Sequence, residues 1–387
     1  MKTEHTLHIC DARRMTPLAV ASVDLVVTSP PYPMIAMWDA LFSLQDPRIA
    51  DDLAGGRGPQ AFEGMHRLLD PVWREVYRVL KPGGIACINI GDATRTLAGD
   101  FALYPNHARI LQHLVATGFT ILPDILWRKP TNAPTKFMGS GMLPGGAYVT
   151  LEHEYILLAR KGGKRLFTTA KDKHKRRESA IFWEERNQFF SDVWGDVRGA
   201  SQVLAPNETR ARSAAFPFEV AYRLIAMYSI KGDLVLDPFW GTGTTGAAAM
   251  AAGRNSVGFE IEAGLAGGLE ALVRGLPERI NAYIEERLDR HARFVAGRIA
   301  ANRPVRHYNT PYGFPVVTRQ EVDLLLNAVV GAALTGANTV TVDYATTPQP
   351  GLGDQPGRME SATVDGGNAG PRRPSGLAGG GRQLNLF

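Results

Sequence analysis

Cysteine is nearly absent from this sequence, which contains only Cys10 and Cys87 among its 387 residues. Two cysteines are too few for a disulfide framework, and no neighbouring histidine cluster accompanies them to form a zinc site. We therefore expect two small buried residues in a reducing compartment, and we assign no metal to the protein.

Long apolar runs are also missing. No stretch approaches the roughly 18 to 20 continuous apolar residues that a membrane span needs, and the opening residues, MKTEHTLHIC, lack the apolar segment of a signal peptide. We therefore expect a cytoplasmic protein without membrane contact. With 44% apolar residues the chain can bury a sizeable core. Its net charge of +5 suits a polyanionic partner, although many ordinary enzymes carry a similar charge.

Short apolar strands alternate with helical stretches over most of the chain. TLHICD and VDLVVTSPPY are strand-like, and FEGMHRLLDPVWREVYRVL repeats apolar residues at helical spacing. This alternation predicts an α/β fold with a mostly parallel sheet covered on both faces. The composition divides the chain into an α/β part over 1–160, an inserted segment over 161–212, a second α/β part over 213–264, a helical extension over 265–344 and a disordered tail over 345–387. Within the extension, EVDLLLNAVVGAAL is predicted to be helical.

The inserted segment begins with a strongly basic run, KGGKRLFTTAKDKHKRR. It has eight Lys or Arg against one Asp, which suits contact with phosphates. The alternative is a solvated surface loop. We favour contact with a polyanion through Lys161, Lys164, Arg165, Lys171, Lys173, Lys175, Arg176 and Arg177.

A glycine turn lies in LVLDPFWGTGTTGAAAMAAG, between an apolar strand and an alanine-rich helix. Gly241 and Gly243 would let the backbone approach a ligand, and Asp237 would accept hydrogen bonds from it. A phosphate loop would need Gly-Lys-Ser/Thr where this chain has Gly-Thr-Thr. Glu260, about 20 residues further on at the end of the next strand, is placed to contact ribose hydroxyls. By itself, the turn could be an ordinary strand-to-helix connection.

Ser-Pro-Pro-Tyr, residues 29–32, ends the strand that begins at Val23. Proline cannot donate to a strand ladder, so the two prolines could simply terminate the strand. Thr-Ser-Pro-Pro-Tyr together with the later Asp-Pro-Phe-x-Gly-x-Gly-Thr-Thr, however, resembles the motif pair of amino-group DNA methyltransferases that use S-adenosylmethionine. Ser-Pro-Pro-Tyr comes first, which is the order of that family's permuted β group.

The resemblance covers roughly residues 7–262 and implies a doubly wound, seven-stranded mixed sheet in circularly permuted order. Residues 1–160 would be the catalytic half and 213–264 the cofactor-binding half, with the insertion where that group carries its target-recognition region. It also implies double-stranded DNA as partner, a nucleoid-associated location and a restriction-modification context. We expect a monomer or a homodimer.

The resemblance also assigns the cofactor. Glu260 would bind the ribose and Asp11 the adenine amino group, although Cys10 stands where the family has Gly. Phe216 and Pro217 resemble the segment that closes over the methionine end. The methionine part would lie against Asp237, Pro238, Phe239, Gly241, Gly243, Thr244 and Thr245.

The Ser-Pro-Pro-Tyr side chains suit methyl transfer to an exocyclic amino group, whose lone pair is delocalised into the ring. If Ser29 Oγ and the Pro30 carbonyl accept hydrogen bonds from that group, its lone pair is directed at the methyl sulfonium. Pro30 and Pro31 have no N–H to compete and fix the carbonyl direction. Tyr32 would stack on a base extruded from the duplex. The Ser29 hydroxyl is too weak an acid to lose its proton near neutral pH, so Ser29 does not act as a general base.

A serine in the first position resembles the N4-cytosine members more than the N6-adenine members. Some Ser-Pro-Pro-Tyr enzymes act on adenine, so N6-adenine stays the alternative. Methyl transfer to RNA or to a protein glutamine is a further rival, but the glutamine enzymes carry Asn in place of Ser29 and have Pro-Pro-Tyr after the cofactor turn. A non-catalytic DNA-binding protein that keeps the fold is a rival of another class.

The last five residues, QLNLF, are apolar at alternate positions and follow a Gly/Pro-rich tether. They resemble the short peptide by which bacterial DNA-processing proteins dock into the sliding clamp. An apolar anchor on a flexible tether raises the local concentration at a partner. The clamp-binding residues would be Gln383, Leu384, Leu386 and Phe387.

Overall fold

The computed structural model describes residues 1–129, 138–139, 145, 147–198, 216–265 and 268–348. Its strands are β1 (Lys2–Ile9), β2 (Val23–Thr28), β3 (Leu80–Ile90), β4 (Ala93–Leu97), β5 (Asp100–Tyr104), β6 (Phe119–Ile121), β7 (Ile125–Arg128), β8 (Met138–Gly139), β9 (Ala147–Tyr148), β10 (His153–Lys161), β11 (Val193–Trp194), β12 (Leu234–Asp237), β13 (Asn255–Glu260), β14 (His307–Tyr308), β15 (Pro315–Val316), β16 (Val329–Gly336) and β17 (Thr339–Tyr344). Its α-helices are α1 (Asp39–Gln45), α2 (Pro47–Ala54), α3 (Gly58–Val79), α4 (Asn106–Thr117), α5 (Ala170–Glu178), α6 (Trp183–Phe189), α7 (Phe218–Tyr228), α8 (Thr244–Ala252), α9 (Gly268–Val273) and α10 (Leu276–Ala300).

Within the described residues, eleven strands form one sheet. Their order is β11-β7-β10-β3-β2-β12-β13-β1-β17-β16, with β6 also paired to β10. Neighbours from β3 to β1 are parallel, whereas β10 runs antiparallel to both β3 and β7. The strands from β7 to β1 in this order are the expected seven-stranded mixed sheet, so the predicted fold class is confirmed. The other four strands extend the sheet beyond these seven.

The central strands are apolar along their whole length because both faces of the sheet are covered. Every residue of β2 is buried. Successive side chains on a strand point to opposite faces. Leu25 and Val27 accordingly join the apolar cluster that includes α7 and α8, while Val26 joins the one that includes Trp73 of α3. Burial on both sides holds β2 in a fixed position beside β12.

The C-terminal extension is helical through α9 and α10 and then changes to strands. The helix predicted over EVDLLLNAVVGAAL is wrong, because β16 occupies its second half. β16 and β17 form a hairpin, and β17 pairs antiparallel with β1. This pairing covers the edge that β1 would otherwise expose. Periodicity does not distinguish helix from strand in a short apolar run.

Three other expectations concern single features. Cys87 is buried in β3, but Cys10 is exposed because β1 ends at Ile9, so the prediction of a buried Cys10 is wrong. None of the helices in the described part of the chain is long and apolar enough to cross a membrane. Residues 349–387, with the QLNLF peptide, lie outside the described residues.

Candidate active site

The carboxyl ends of the parallel strands β1, β2, β12 and β13 meet at one edge of the sheet, here called the C-terminal edge. β2 ends at Thr28 and β12 ends at Asp237, and the two strands are paired side by side. Thr28 Oγ1 donates a hydrogen bond to Asp237 Oδ1 at 2.6 Å. Thr245 Oγ1, at the start of α8, donates to the Val27 carbonyl at 3.1 Å. Ser-Pro-Pro-Tyr and the glycine turn therefore begin next to each other.

Asp237 is a buried carboxyl, only 3% exposed. Burial raises its pKa to about 6, against the hydrogen bonds from Thr28 and the Phe239 N–H, which lower it. The charge of nearby Glu260 adds to the increase. The carboxylate is ionised at neutral pH, and a cationic ligand beside it would be favoured.

The glycine turn has the backbone shape that its sequence predicts. Gly241 and Gly243 have φ of +53° and +86°, a region that L-residues with side chains rarely adopt. A Cβ at Gly243 would lie 2.7 Å from Leu272 Cδ1, so this position has no room for a side chain. At Gly241 the nearest atom to such a Cβ is the Phe239 carbonyl oxygen at 3.9 Å. The space beside Gly241 is therefore open to a ligand.

Glu260, at the end of β13, holds the turn in place. Its Oε2 accepts a hydrogen bond from the Gly241 N–H at 2.9 Å, and its Oε1 accepts from the Glu262 N–H at 2.9 Å. Each carboxylate oxygen can accept more than one hydrogen bond. Glu260 can therefore position the turn and still accept from ligand hydroxyls.

Trp240 is a structural part of the turn that the sequence predictions missed. It is 2% exposed, and its ring lies against both α8 and β13. A Cβ at Gly246 would lie 2.2 Å from Trp240 Cη2, and one at Gly258 would lie 1.9 Å from Trp240 Cε3. An isolated glycine in a strand often marks such a close approach. Gly258 within SVGFE was therefore the sequence feature that could have indicated a large side chain packed against this strand.

Asp11 lies at the same edge, two residues after Ile9, which pairs with Glu260. Its Oδ2 forms an ion pair with Arg13 at 2.5 Å, and its Oδ1 accepts from the Arg13 N–H at 2.9 Å. Burial alone would raise the pKa of Asp11, but the hydrogen bonds and charge of Arg13 outweigh burial and lower it. The carboxylate is ionised, and Arg13 fixes its orientation.

The apolar residues assigned to the cofactor have core contacts. Phe216 is buried and belongs to the same apolar cluster as Trp240. Pro217 is the residue before α7, and its carbonyl accepts from the Val220 N–H at 3.0 Å. The Phe239 ring packs edge-on against Trp73, with centroids 5.9 Å apart. These contacts fix the ends of α7 and β12.

Tyr32 is the centre of a polar network at this edge. Its hydroxyl donates to Glu154 Oε2 at 2.9 Å and accepts from Asn89 Nδ2 at 2.7 Å. Ser29 Oγ lies 3.2 Å from the same hydroxyl. Lys129 Nζ lies 2.5 Å from Glu154 Oε1. The network brings together residues at or beside the ends of β2, β3, β7 and β10.

Asn89, Lys129 and Glu154 were absent from the sequence predictions. The sequence offered only a weak indication that these residues belong to the site. Asn89 is a polar residue inside the apolar strand segment INI, and Glu154 lies near the start of another strand. Gly91 lets the Tyr32 ring pack closely, because a Cβ there would lie 3.1 Å from Tyr32 Cε2. The tyrosine is therefore fixed in position by its hydroxyl and by one side of its ring.

The basic run lies at the opposite, N-terminal edge of the sheet, where the parallel strands begin. Arg165 forms an ion pair at 2.5 Å with Asp233, which precedes β12, and lies 3.7 Å from Asp24 near the start of β2. Lys161 Nζ donates to the Leu80 carbonyl at 2.8 Å. The run leaves the active site because β10 is antiparallel and carries the chain from one edge to the other. The exposed basic residues are Lys164, Lys171, Lys173, Arg176 and Arg177.

The structure thus collects the predicted acidic, glycine and Ser-Pro-Pro-Tyr residues at one edge and separates the basic run from them. Asp237 and Glu260 end β12 and β13, and Asp11 follows β1 at the same edge of the sheet. Carboxylates in this arrangement suit a ligand with hydroxyl and amino groups and a positive charge. Ser29 and Tyr32 follow β2, which is paired with the strand β12 that ends at Asp237. A second substrate held by Ser29 and Tyr32 would therefore lie beside that ligand.

Comparisons with known proteins agree with this arrangement. A family model for N6/N4 DNA methylases matches residues 23–267. The chain is 50% identical over 327 residues to Type II methyltransferase M.MthZI of Methanothermobacter thermautotrophicus, a match that covers 84% of this chain and 91% of that protein. It is 50% identical over 274 residues to Type II methyltransferase M.MjaI of Methanocaldococcus jannaschii, covering 68% and 89%.

A solved structure shows the same relationship. The protein TTHA0409 of Thermus thermophilus, a putative DNA modification methylase crystallised with S-adenosyl-L-methionine, superposes with a TM-score of 0.55 at 34% identity, covering 70% of this chain and 95% of that one. The matched family model covers more than half of the chain. The chain therefore belongs to the N6/N4 family of DNA methylases, and it is a DNA methyltransferase whose cofactor is S-adenosylmethionine.

Proposed function

We propose that this enzyme methylates N4 of cytosine within a short duplex sequence, after the target base has left the helix. The supporting observation is the hydrogen bond from Thr28 to Asp237, because it sets Ser29 directly beside the strand that carries the cofactor turn. An amino group held by Ser29 and a methyl group held at the turn would then share one pocket. Extruding a base costs a few kcal/mol, and stacking on Tyr32 would offset part of that cost.

The residues present fit S-adenosylmethionine, which supplies an electrophilic methyl group on a sulfonium when it is bound. Asp237 would favour its positive charge, Glu260 would accept from the ribose, and Asp11, oriented by Arg13, would accept from the adenine amino group. The open space beside Gly241 leaves room for the ligand. The remaining contacts would come from Pro238, Phe239, Gly243, Thr244, Thr245, Phe216 and Pro217.

The chain's own groups would prepare the amino nitrogen for attack. Ser29 Oγ and the Pro30 carbonyl would each accept one of its hydrogens, which concentrates the lone pair on nitrogen as positive charge develops. Pro30 is buried and Pro31 follows it, so the carbonyl is held in one direction. The amino proton would leave after methyl transfer, since Ser29 is not a base at neutral pH.

The choice of cytosine rests on Ser29 at the first motif position, and N6-adenine is the alternative. The test is sequencing that maps modified bases in DNA from cells expressing the protein. We expect N4-methylcytosine at one short recurring sequence. Detection of N6-methyladenine in place of N4-methylcytosine would agree with amino-group methylation but would overturn the choice of cytosine as the target base.

The relatives named above are Type II methyltransferases, and we propose the same restriction-modification context here. The partner would be double-stranded DNA, in the cytoplasm at the nucleoid. The basic run at the N-terminal edge is not part of the proposed recognition of the target base, because it lies across the sheet from Ser29. Phosphate contact by these residues would involve another part of the duplex.

The QLNLF peptide would tether the enzyme to the sliding clamp. Gln383, Leu384, Leu386 and Phe387 lie outside the described residues, so this proposal rests on sequence alone. Deleting the five residues should abolish capture by immobilised clamp and leave methylation of short duplexes unchanged. Undiminished capture by the truncated protein would refute the tether.

A further inference from the structure

The hydrogen bonds around Tyr32 have a fixed direction. The Glu154 side chain is 13% exposed, and its Oε1 accepts a hydrogen bond from Lys129 Nζ at 2.5 Å, so Glu154 acts as an acceptor in this network. Tyr32 must therefore donate its hydroxyl hydrogen to Glu154 Oε2. Burial, together with the charge of Glu154, raises the pKa of Tyr32 well above its ordinary value, so the phenol keeps this proton.

The Tyr32 oxygen is left as an acceptor. It accepts from Asn89 Nδ2 at 2.7 Å and from Ser29 Oγ at 3.2 Å. A serine hydroxyl has a single hydrogen, and this contact commits it to Tyr32. Only the lone pairs of Ser29 Oγ are then available to a bound nucleobase. Ser29 can therefore accept a hydrogen bond from the nucleobase but cannot donate one.

A second acceptor in the network has no partner. Asn89 is 2% exposed, and its Oδ1 makes no hydrogen bond within the described residues, although its Nδ2 donates to both Tyr32 and Glu154. The reversed amide would set Oδ1 against the Glu154 carboxylate, which rules that orientation out. A buried acceptor without a partner is unfavourable. An N–H donor on a bound ligand would satisfy it.

We propose that Glu154 is a positioning and specificity-determining residue, which makes the pocket accept a base with an exocyclic amino group and reject one with a carbonyl at that position. This rests on the proposed role of Ser29 as the acceptor for the amino group. Cytosine presents a donor at N4, whereas uracil and thymine present an acceptor at O4. A keto base would set oxygen lone pairs against those of Ser29, and buried sites reject such mismatches strongly.

The test replaces Glu154 with Gln in the full-length protein. Gln can keep its Oε1 toward Lys129 only by turning its Nε2 donor to Tyr32, which frees the Tyr32 hydrogen to point at Ser29. Methyl transfer is measured on a duplex with the mapped target, and binding is measured for that duplex and for one with uracil in place of the target cytosine. We expect kcat to fall by about a hundredfold and the preference for cytosine over uracil to shrink by about tenfold. The KM for S-adenosylmethionine should not change.

Glu154→Asp keeps an acceptor carboxylate and should restore part of both quantities. Glu152→Gln, which alters an exposed pair with Arg128, is the matched control and should behave like the wild type. Tyr32→Phe removes the acceptor for Ser29 without changing the ring, and it should show the same reduced preference.

Failure of this inference can be told apart from failure of the proposed function. With an active wild type, an unchanged cytosine preference in Glu154→Gln and Tyr32→Phe would overturn the role of Glu154. Loss of cofactor binding along with activity in Glu154→Gln would also overturn it, since that outcome indicates a general structural role. A wild type that methylates no cytosine would instead refute the proposed function.

Discussion

Thr28 and Asp237 are 209 positions apart in the chain, and a 2.6 Å hydrogen bond joins their buried side chains at the ends of two paired strands. Thr28 is followed by Ser-Pro-Pro-Tyr, and Asp237 is followed by the glycine turn. The relative position of the proposed amino acceptor and the glycine turn is therefore set by one pair of central strands. Rigid elements are suited to holding two reactants in a fixed geometry.

Replacing Thr28 with Val tests this connection. The variant keeps the shape of the side chain but removes the donor to Asp237, whose Oδ1 would keep the Phe239 N–H. We expect a loss of about 1 to 3 kcal/mol in the free energy of unfolding, measured in urea. Thr28→Ser keeps the hydroxyl and should stay close to the wild type. Equal stability of the Val variant and the wild type would show that the bond is unimportant.

Cofactor affinity should fall in mild acid. Burial raises the pKa of Asp237 to about 6, and a sulfonium favours the ionised carboxylate, so protonation below that pH weakens binding. Below the pKa we expect up to about tenfold weaker binding per pH unit. Calorimetric titration between about pH 5 and 7 measures this. Asp237→Asn should bind weakly at all these pH values, and a wild-type affinity that is flat across them would argue against the assignment.

Gly258→Ala should disturb the glycine turn, the proposed cofactor site, through Trp240. The new Cβ would lie 1.9 Å from Trp240 Cε3, so the ring or the strand must move. We expect a loss of about 1 to 3 kcal/mol in thermal denaturation and weaker cofactor binding. Gly297→Ala in α10, where a Cβ meets no atom within 4 Å, is the control and should be neutral or stabilising. A Gly258 variant as stable as the wild type would mean that the ring does not fill this space.

Neutralising the exposed part of the basic run should have little effect on target methylation. The variant Lys171→Gln/Lys173→Gln/Arg176→Gln removes three exposed charges of α5, which lies across the sheet from Ser29. Each lost phosphate contact would lower the slope of log affinity against log salt by about 0.9. We expect an unchanged slope for a short duplex that contains the target. A slope reduced by about two or more would place the DNA against this helix.

Local sequence patterns predicted the strands that build the site. β2 and β12 are buried apolar runs that end in the two motifs, and parallel pairing places such ends at one edge. Asp237, Gly241, Gly243 and Glu260 were predicted as ligand contacts from the glycine turn itself. The other cofactor residues and the roles of Ser-Pro-Pro-Tyr came from the family resemblance, and all these individual roles stay predictions. Trp240 was missed because its position depends on two glycines in different elements, Gly246 and Gly258.

The errors came from features that sequence periodicity does not encode. The strand β16 was predicted as a helix because its stability comes from pairing with β17 and, through it, with β1. The phosphate contact of the basic run stays a prediction, but its place at the N-terminal edge of the sheet could not be foreseen while the direction of β10 was unknown. The same strand brings Glu154 to Tyr32 at its beginning and Lys161 to the other edge at its end. Antiparallel pairing of β10 with β3 therefore explains both outcomes.

The central claim is tested most directly by Ser29→Ala. The measurement is the N4-methylcytosine content of a target duplex, by mass spectrometry of its nucleosides, alongside the Kd for S-adenosylmethionine. Loss of one preorganised acceptor should lower kcat by about a hundredfold or more, with the Kd unchanged because Ser29 would contact the base and not the cofactor. Undiminished formation of N4-methylcytosine by this variant would contradict the account.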